Sequence, residues 1–217
     1  MERKSAAGSI RNKERSKKKF LDAVGKILKT KGYAALKIND IAATAGVDKK
    51  MIYTYFGGMD GLMDEYIRSQ DFWSNVTAGE SPNFEDGGKE LGIQTLCAQF
   101  DYVYNNKEVQ KLLLWRLSEH RKSLVKLTEV QEANGEMMFK AISDPFFKEN
   151  ADVFRSIMAI LISGLYYLGT SPTAMNGSIF CGIDMSTPGG RDKVKEAISF
   201  LMNQTFEHLP GKTDKKE

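Results

Sequence analysis

The chain has 217 residues, with 31 Lys and Arg against 28 Asp and Glu, a formal net charge of +3, 41% hydrophobic residues, two Cys and two His. That length and apolar content suffice to bury a core without disulfides or metals, and they exclude a disordered chain, a collagen-like one and a small secreted scaffold. The net figure hides an asymmetry: residues 1–56 hold 14 basic and 5 acidic side chains, or +9, while residues 57–217 carry −6, so a basic head suited to a polyanion precedes an acidic body.

The basic start has no apolar core behind it and does not read as a signal peptide. From residue 12 to 31, Phe20, Val24, Ile27 and Leu28 recur at helical spacing among lysines, and Gly32 marks a stop. A short helix over 39–44 places Ile38, Ile41, Ala42 and Ala45 on one side and ends at Gly46, the residue type best suited to a left-handed cap. Asp48 then offers an N-cap for a third helix over 49–55. Two short helices joined by Ala45-Gly46-Val47 inside a basic head make a helix-turn-helix. A longer helix is expected over 60–78, followed by a Gly- and Pro-rich loop over 79–88.

The body reads as helices over 89–105, 107–117, 122–143, 151–169 and 191–208, with a short ambiguous stretch at 178–184. The helix over 151–169 is apolar around almost its whole circumference, which predicts burial on all sides. The helix over 191–208 carries a stripe through Val194, Ala197, Ile198, Leu201, Met202 and Leu209. Together they predict an apolar surface buried against a second copy, the plain alternative being a core pair in a monomer. The run from Ile157 to Leu168 is broken by Ser163 and Gly164 and is shorter than the ~20 residues that span a bilayer, so no membrane partner is expected. Cys97 and Cys181 show neither disulfide nor zinc spacing, and the simplest expectation is two small buried residues in a reducing, cytoplasmic setting.

The stretch from Arg15 to Ile67 resembles the TetR family of one-component bacterial regulators. The matching residues are Phe20 and Ala23, Lys31-Gly32-Tyr33, Asp40-Ile41-Ala42, Ala45-Gly46-Val47, Ile52-Tyr53-x-Tyr55-Phe56 and Leu62. The resemblance implies an all-helical homodimer, with a DNA-reading head over 1–56 (its basic arm about 1–12) and a helical body over 57–217. In that body the last two helices form the dimer interface and the middle ones enclose a pocket for a small-molecule effector that releases the operator. Two departures stand out: Leu36-Lys37 replace the usual hydroxyl residue opening the second helix, and Gly58-Met59 stand where a Ser-Lys pair is usual.

Within the head, Lys37, Tyr53 and Tyr55 are candidate phosphate anchors, and Lys49, Lys50, Met51 and Thr54 are candidate base readers. Lysine donors suit guanine O6 and N7, and methyl groups suit a thymine methyl. A dimer would set two such helices ~34–36 Å apart or a multiple of that, which predicts a near-palindromic operator on double-stranded DNA. Candidate effector contacts are Gln94, Phe100, Tyr104, Trp115, His120, Met137, Met138 and Tyr166, each of which also reads as ordinary core. No G-x-S-x-G, G-x-G-x-x-G, G-x-x-x-x-G-K-[ST] or H-E-x-x-H pattern occurs, and His120 and His208 are far apart, so neither enzymatic chemistry nor a cofactor or metal is expected. A nonspecific architectural DNA binder is the competing reading, and the large apolar body argues against it.

Overall fold

The computed structural model describes residues 3–69, 85–174 and 178–210, with side chains described from 11 to 69, 85 to 170 and 178 to 210. Ten α-helices account for most of them: α1 Arg3–Lys31, α2 Ile38–Ala45, α3 Lys50–Phe56, α4 Met59–Ser69, α5 Lys89–Asn105, α6 Lys107–Ser118, α7 Lys122–Met138, α8 Asp144–Phe147, α9 Ala151–Ala174 and α10 Pro188–His208. One 3-10 turn, Tyr33–Ala35, follows α1 and another, Lys148–Asn150, precedes α9, and β1 Ile179–Phe180 pairs antiparallel with β2 Ile183–Asp184. The ambiguous stretch before the last helix is therefore a two-residue-strand hairpin. The part of the expected fourth helix beyond Ser69, and most of the loop after it, lie outside the described residues.

The chain divides into two compact units. The first joins the residues up to α4 with 111–128, the end of α6 and the start of α7. Its core is built by α1, whose Phe20, Ala23, Val24, Ile27 and Leu28 are buried, against Ile41 of α2, Ile52 of α3 and Leu62, Met63, Tyr66 and Ile67 of α4. The i, i+3, i+4 spacing of the α1 set explains why one stripe of an otherwise lysine-rich helix is enclosed.

The second unit holds 85–110 and the residues from 129 onward. Here α5 packs on α9 and α10, and Gly169 permits the approach, since a Cβ there would lie 2.7 Å from a methyl of Val103. The densest part of this core is aromatic: Phe147 stacks on Phe154 at 4.1 Å, and both meet Phe206 edge-on at 4.8 and 5.5 Å, contacts each worth about 0.5–1.5 kcal/mol beyond the area they bury. The expected helix over 122–143 is interrupted: at Phe139–Ser143 the backbone makes a π-helical turn before Pro145 opens α8. Arg155 braces this junction, with Nε and Nη2 donating to the two oxygens of Asp144 at 3.0 and 2.6 Å, Nη1 donating to Glu136, and the guanidinium 5.1 Å from the Phe139 ring centroid. The last helix begins at Pro188, three residues before its expected start, because Thr187 accepts the Gly190 amide at 3.0 Å as N-cap with proline at the first helical position.

Two expectations are corrected. Helix α9 is not enclosed on all sides within one chain: Phe154, Met158 and Leu165 are buried, but Val153, Ile160 and Tyr167, seven residues apart, are 49, 72 and 41% exposed. Among the described residues one face of α9 is covered and the face of Val153, Ile160 and Tyr167 is not. Nor are the cysteines both buried. Cys97 is half-buried, with its thiol pushed up mainly by desolvation, whereas Cys181 is exposed in the hairpin turn at φ 49°. By length and composition alone the described stretch 122–170 includes a helix apolar enough to cross a membrane. Helix α9 seats Phe154, Met158 and Leu165 in the core.

Candidate nucleic-acid interface

The reading element is built from the turn outward. Gly46 adopts the left-handed conformation at φ 63°, ψ 37°, and its amide and that of Val47 close back on Ala43 and Ala42 carbonyls at 3.3 Å. This reverses the chain after α2 without a side chain in the strained position. Asp48 Oδ1 accepts the Lys50 amide at 2.8 Å, so the carboxylate satisfies a first-turn donor even though α3 starts one residue later than expected. Ile52 is fully buried and fixes α3 on the head. With that face committed, Lys49, Lys50, Tyr53 and Thr54 are exposed, Tyr53 by 59%, and Met51 and Tyr55 are half-buried.

Tyr53 is thus a surface aromatic and not a core one. The other candidates divide by the company they keep. Lys49 Nζ donates to Asn39 Oδ1 at 3.2 Å, tying α3 to α2. Thr54 Oγ1 donates back to the Lys50 carbonyl at 3.1 Å. Lys50 projects from the exposed face, and Lys37 is the exposed N-cap residue of α2, in extended conformation with no side-chain cap. Asn39 does not take over the missing cap. It lies inside α2 and spends its carbonyl on Lys49, a role that the pattern of capping residues does not signal.

Helix α1 contributes lysines of two kinds. Lys17 is engaged inside the head, donating to Glu65 at 2.8 Å and lying 5.3 Å from the Phe56 ring centroid. Lys13 lies 5.8 Å from the Tyr55 ring centroid, so a cation and an aromatic phenol sit together beside α3. The Gly57-Gly58 pair, at φ 75° and 130°, turns the chain into α4.

The effector candidates are not brought together. Phe100 is a fully buried member of the body core, and Gln94 is exposed and donates to Glu90 at 2.8 Å. Tyr104 is covered by Arg191, which lies 4.3 Å from its ring centroid and donates to its hydroxyl at 3.0 Å. Met137 and Met138 are 65 and 40% exposed, and Tyr166 is half-buried. Trp115 and His120 belong to the first unit; Trp115 is buried, stacked on Tyr33 at 5.9 Å, and donates from Nε1 to Glu119 at 2.7 Å. A cleft of about 390 Å³ is lined by His120, and another of about 540 Å³ between Asp86, Lys89, Phe146 and the end of α10 contains none of the eight. Among the described residues no cluster of His, Cys, Asp and Glu is arranged to hold a metal ion.

Comparison with known proteins shows what these features are similar to. Residues 20–66 match the family described as bacterial regulatory proteins, tetR family. The chain is 26% identical over 158 residues to an HTH-type transcriptional regulator, BetI, of Vibrio vulnificus, covering 68% of this chain and 77% of that one. It is 33% identical over 105 residues to BetI 1 of Chromohalobacter salexigens, covering 46% and 52%. In fold it is similar to the crystal structure of a TetR-like transcriptional regulator from Rhodococcus sp. RHA1, with a TM-score of 0.54 and 15% identity over 87% of this chain and 96% of that one.

Proposed function

We propose that the chain is a member of the TetR family of bacterial regulatory proteins, a sequence-specific DNA-binding transcriptional repressor that a small-molecule effector releases from its operator. The observation that carries this is the exposed face of α3: with Ile52 buried, Lys50, Tyr53 and Thr54 stand out from a head of charge +9. Phosphate contacts from Lys37, Tyr53, Tyr55 and α1 set register, and Lys49, Lys50, Met51 and Thr54 read base edges. We assign DNA reading to residues 1–56 and effector sensing and pairing to 57–217, in the cytoplasm.

The partner in pairing is a second copy. Val153, Ile160 and Tyr167 on α9, with Phe200 and Leu201 on α10 at 62 and 45% exposure, offer the apolar surface for it, and twofold symmetry then duplicates α3 at a spacing fixed by the DNA turn. Effector release is a population shift: a ligand that prefers a body geometry with the heads out of register lowers operator affinity by its differential affinity for the two geometries.

Selection of bound sites from a random DNA pool tests the reading. The expected result is a near-palindrome bound far more tightly than random DNA at one fixed salt concentration. Enrichment of sites without twofold symmetry, or equal affinity for random DNA, overturns it.

A further inference from the structure

At the turn between α6 and α7 the first unit holds a guanidinium that is only half used. The Arg121 side chain is 18% exposed, and its Cζ lies 5.7 Å from the centroid of the Trp115 ring. Nη2 donates to Oδ1 of Asp60, in the first turn of α4, while Nε is buried with no acceptor among the described residues. The Nε–Nη2 edge of an arginine presents two parallel donors that match the two oxygens of one carboxylate. Asp60 takes one corner of it, from a side chain that is 91% exposed. A mostly buried cation thus rests on a one-point, solvent-washed partner.

The same arginine lines the cleft of about 390 Å³, together with Arg116 and His120 on the polar side and Leu117, Leu124 and Val125 on the apolar side. Leu117 is 86% and Val125 39% exposed, whereas Leu124 is buried. The volume lies within the ~300–1,000 Å³ of small-molecule sites. Glu119 is the one carboxylate of the lining, and its Oε2 is occupied by the Trp115 indole N–H at 2.7 Å. A dianion such as phosphate meets that negative charge and gains nothing from the leucine and valine; a monoanion with an apolar tail satisfies both sides.

We propose that this cleft binds a small organic carboxylate with a short apolar tail, seated on the Nε–Nη2 edge of Arg121, and that its occupant competes with Asp60 for that edge. It gives the effector of the reading above a chemical class and rests on that reading only for its consequence at the operator: freeing Asp60 removes a tie between the α6–α7 turn and α4, the helix that follows the reading element.

The test uses the full chain carrying Trp73→Phe, so that Trp115 is the one remaining indole of the two in the sequence. Octanoate is titrated against its fluorescence, with octanamide as the uncharged counterpart and inorganic phosphate as the tail-less anion. Octanoate is expected to shift the Trp115 emission saturably, with octanamide and phosphate weaker by about tenfold or more. Arg121→Gln should lose that order of affinity, and so should Arg121→Lys, which keeps the charge and removes the fork; a thermal melt confirms that either variant is folded. Asp60→Asn should bind octanoate several-fold more tightly, because the competing charge is gone.

Unchanged octanoate affinity in a folded Arg121 variant, no tightening in Asp60→Asn, or octanamide binding as well as octanoate overturns the proposal. Operator binding by the same samples keeps the two readings apart. A chain that binds its selected operator while octanoate leaves Trp115 unmoved defeats the cleft alone. A chain that binds octanoate as described but selects no operator defeats the regulator reading alone.

Discussion

Gly61 approaches the carbonyl of Phe56 so closely that a Cβ on Gly61 would stand 1.8 Å from the Phe56 oxygen. The contact is with backbone, which has no rotamer to yield, so α3 and α4 can join as they do only because position 61 carries no side chain. In sequence, glycines at 57, 58 and 61 suggest a loosened start to α4. In the structure they are what lets a short, tight junction form, with the Leu62 amide closing on the Gly58 carbonyl at 3.1 Å. Gly61→Ala should destabilise the chain by about 2–3 kcal/mol and lower operator affinity, read by thermal unfolding and by DNA binding of the folded fraction. A variant as stable and as active as the parent would show that the junction relaxes freely.

Lys37 and Lys50 separate positioning from reading. Lys37→Ala should weaken binding to every sequence alike and reduce the slope of log affinity against log salt by about one unit. Lys50→Ala should relax preference at one base position in each half-site while leaving the other positions unchanged, by about 1–3 kcal/mol for the favoured base. Fluorescence anisotropy on the selected operator and its single-base variants, over a salt series, reads both.

Acid should act on the brace around Arg155. Hydrogen bonding from Arg155, and then from Lys140, holds the Glu136 carboxyl down at about 2, from an ordinary value of 4.5. A carboxyl whose folded value is depressed contributes stability that is complete above its unfolded value and is lost as pH falls through the folded one. The contribution from Glu136 should therefore disappear between about pH 4.5 and pH 2. Glu136→Gln should show a flatter decline of unfolding midpoint over that window than the parent does. Parallel declines would mean that the pair contributes nothing in solution, as exposed ion pairs often do.

Ile160 is the most exposed large apolar residue of α9, at 72%. Ile160→Asp should convert a dimer to a monomer at micromolar concentration while leaving the internal packing of Phe154 and Leu165 in place, measured by sedimentation equilibrium and near-ultraviolet circular dichroism. A parent chain that is monomeric, or a variant that stays dimeric, moves the pairing surface elsewhere.

How much of this is legible in sequence depends on how local the cause is. The turn at Gly46 and the buried stripe Phe20–Leu28 follow from spacing and residue type within a few positions and appear where expected, while the Asp48 carboxylate takes the Lys50 amide of a helix that starts one residue later than expected. The π-helical turn at Phe139–Ser143 is not foreseen, although Pro145 just after it is a local breaker with no N–H to give the Ala141 carbonyl. The start of α10 is missed for a different reason: Thr187-Pro188 is a recognisable cap followed by proline at the first helical position, and it outweighs the two glycines that make 188–190 resemble a loop. For the interface, exposure is the quantity that sequence supplies least well. Residue type alone leaves Tyr53 divided between core and surface, and only the burial of Ile52 decides it. The effector candidates, chosen as aromatic and sulfur residues of the mid-body, scatter because those side chains are as useful in a core as in a pocket. Arg121 draws no notice in sequence, since its partner in α4 is 61 residues away.

That separation has a consequence in time. The first unit is braced by Trp115 against Tyr33 and by Arg121 against Asp60, yet both bracing residues come well after α4. At ~5–20 residues per second of synthesis, the Arg121 guanidinium follows Asp60 off the ribosome by about 3–12 s, long compared with helix formation and the collapse of a small helical unit. A nascent chain therefore spends seconds with its reading helix formed and its brace still unmade.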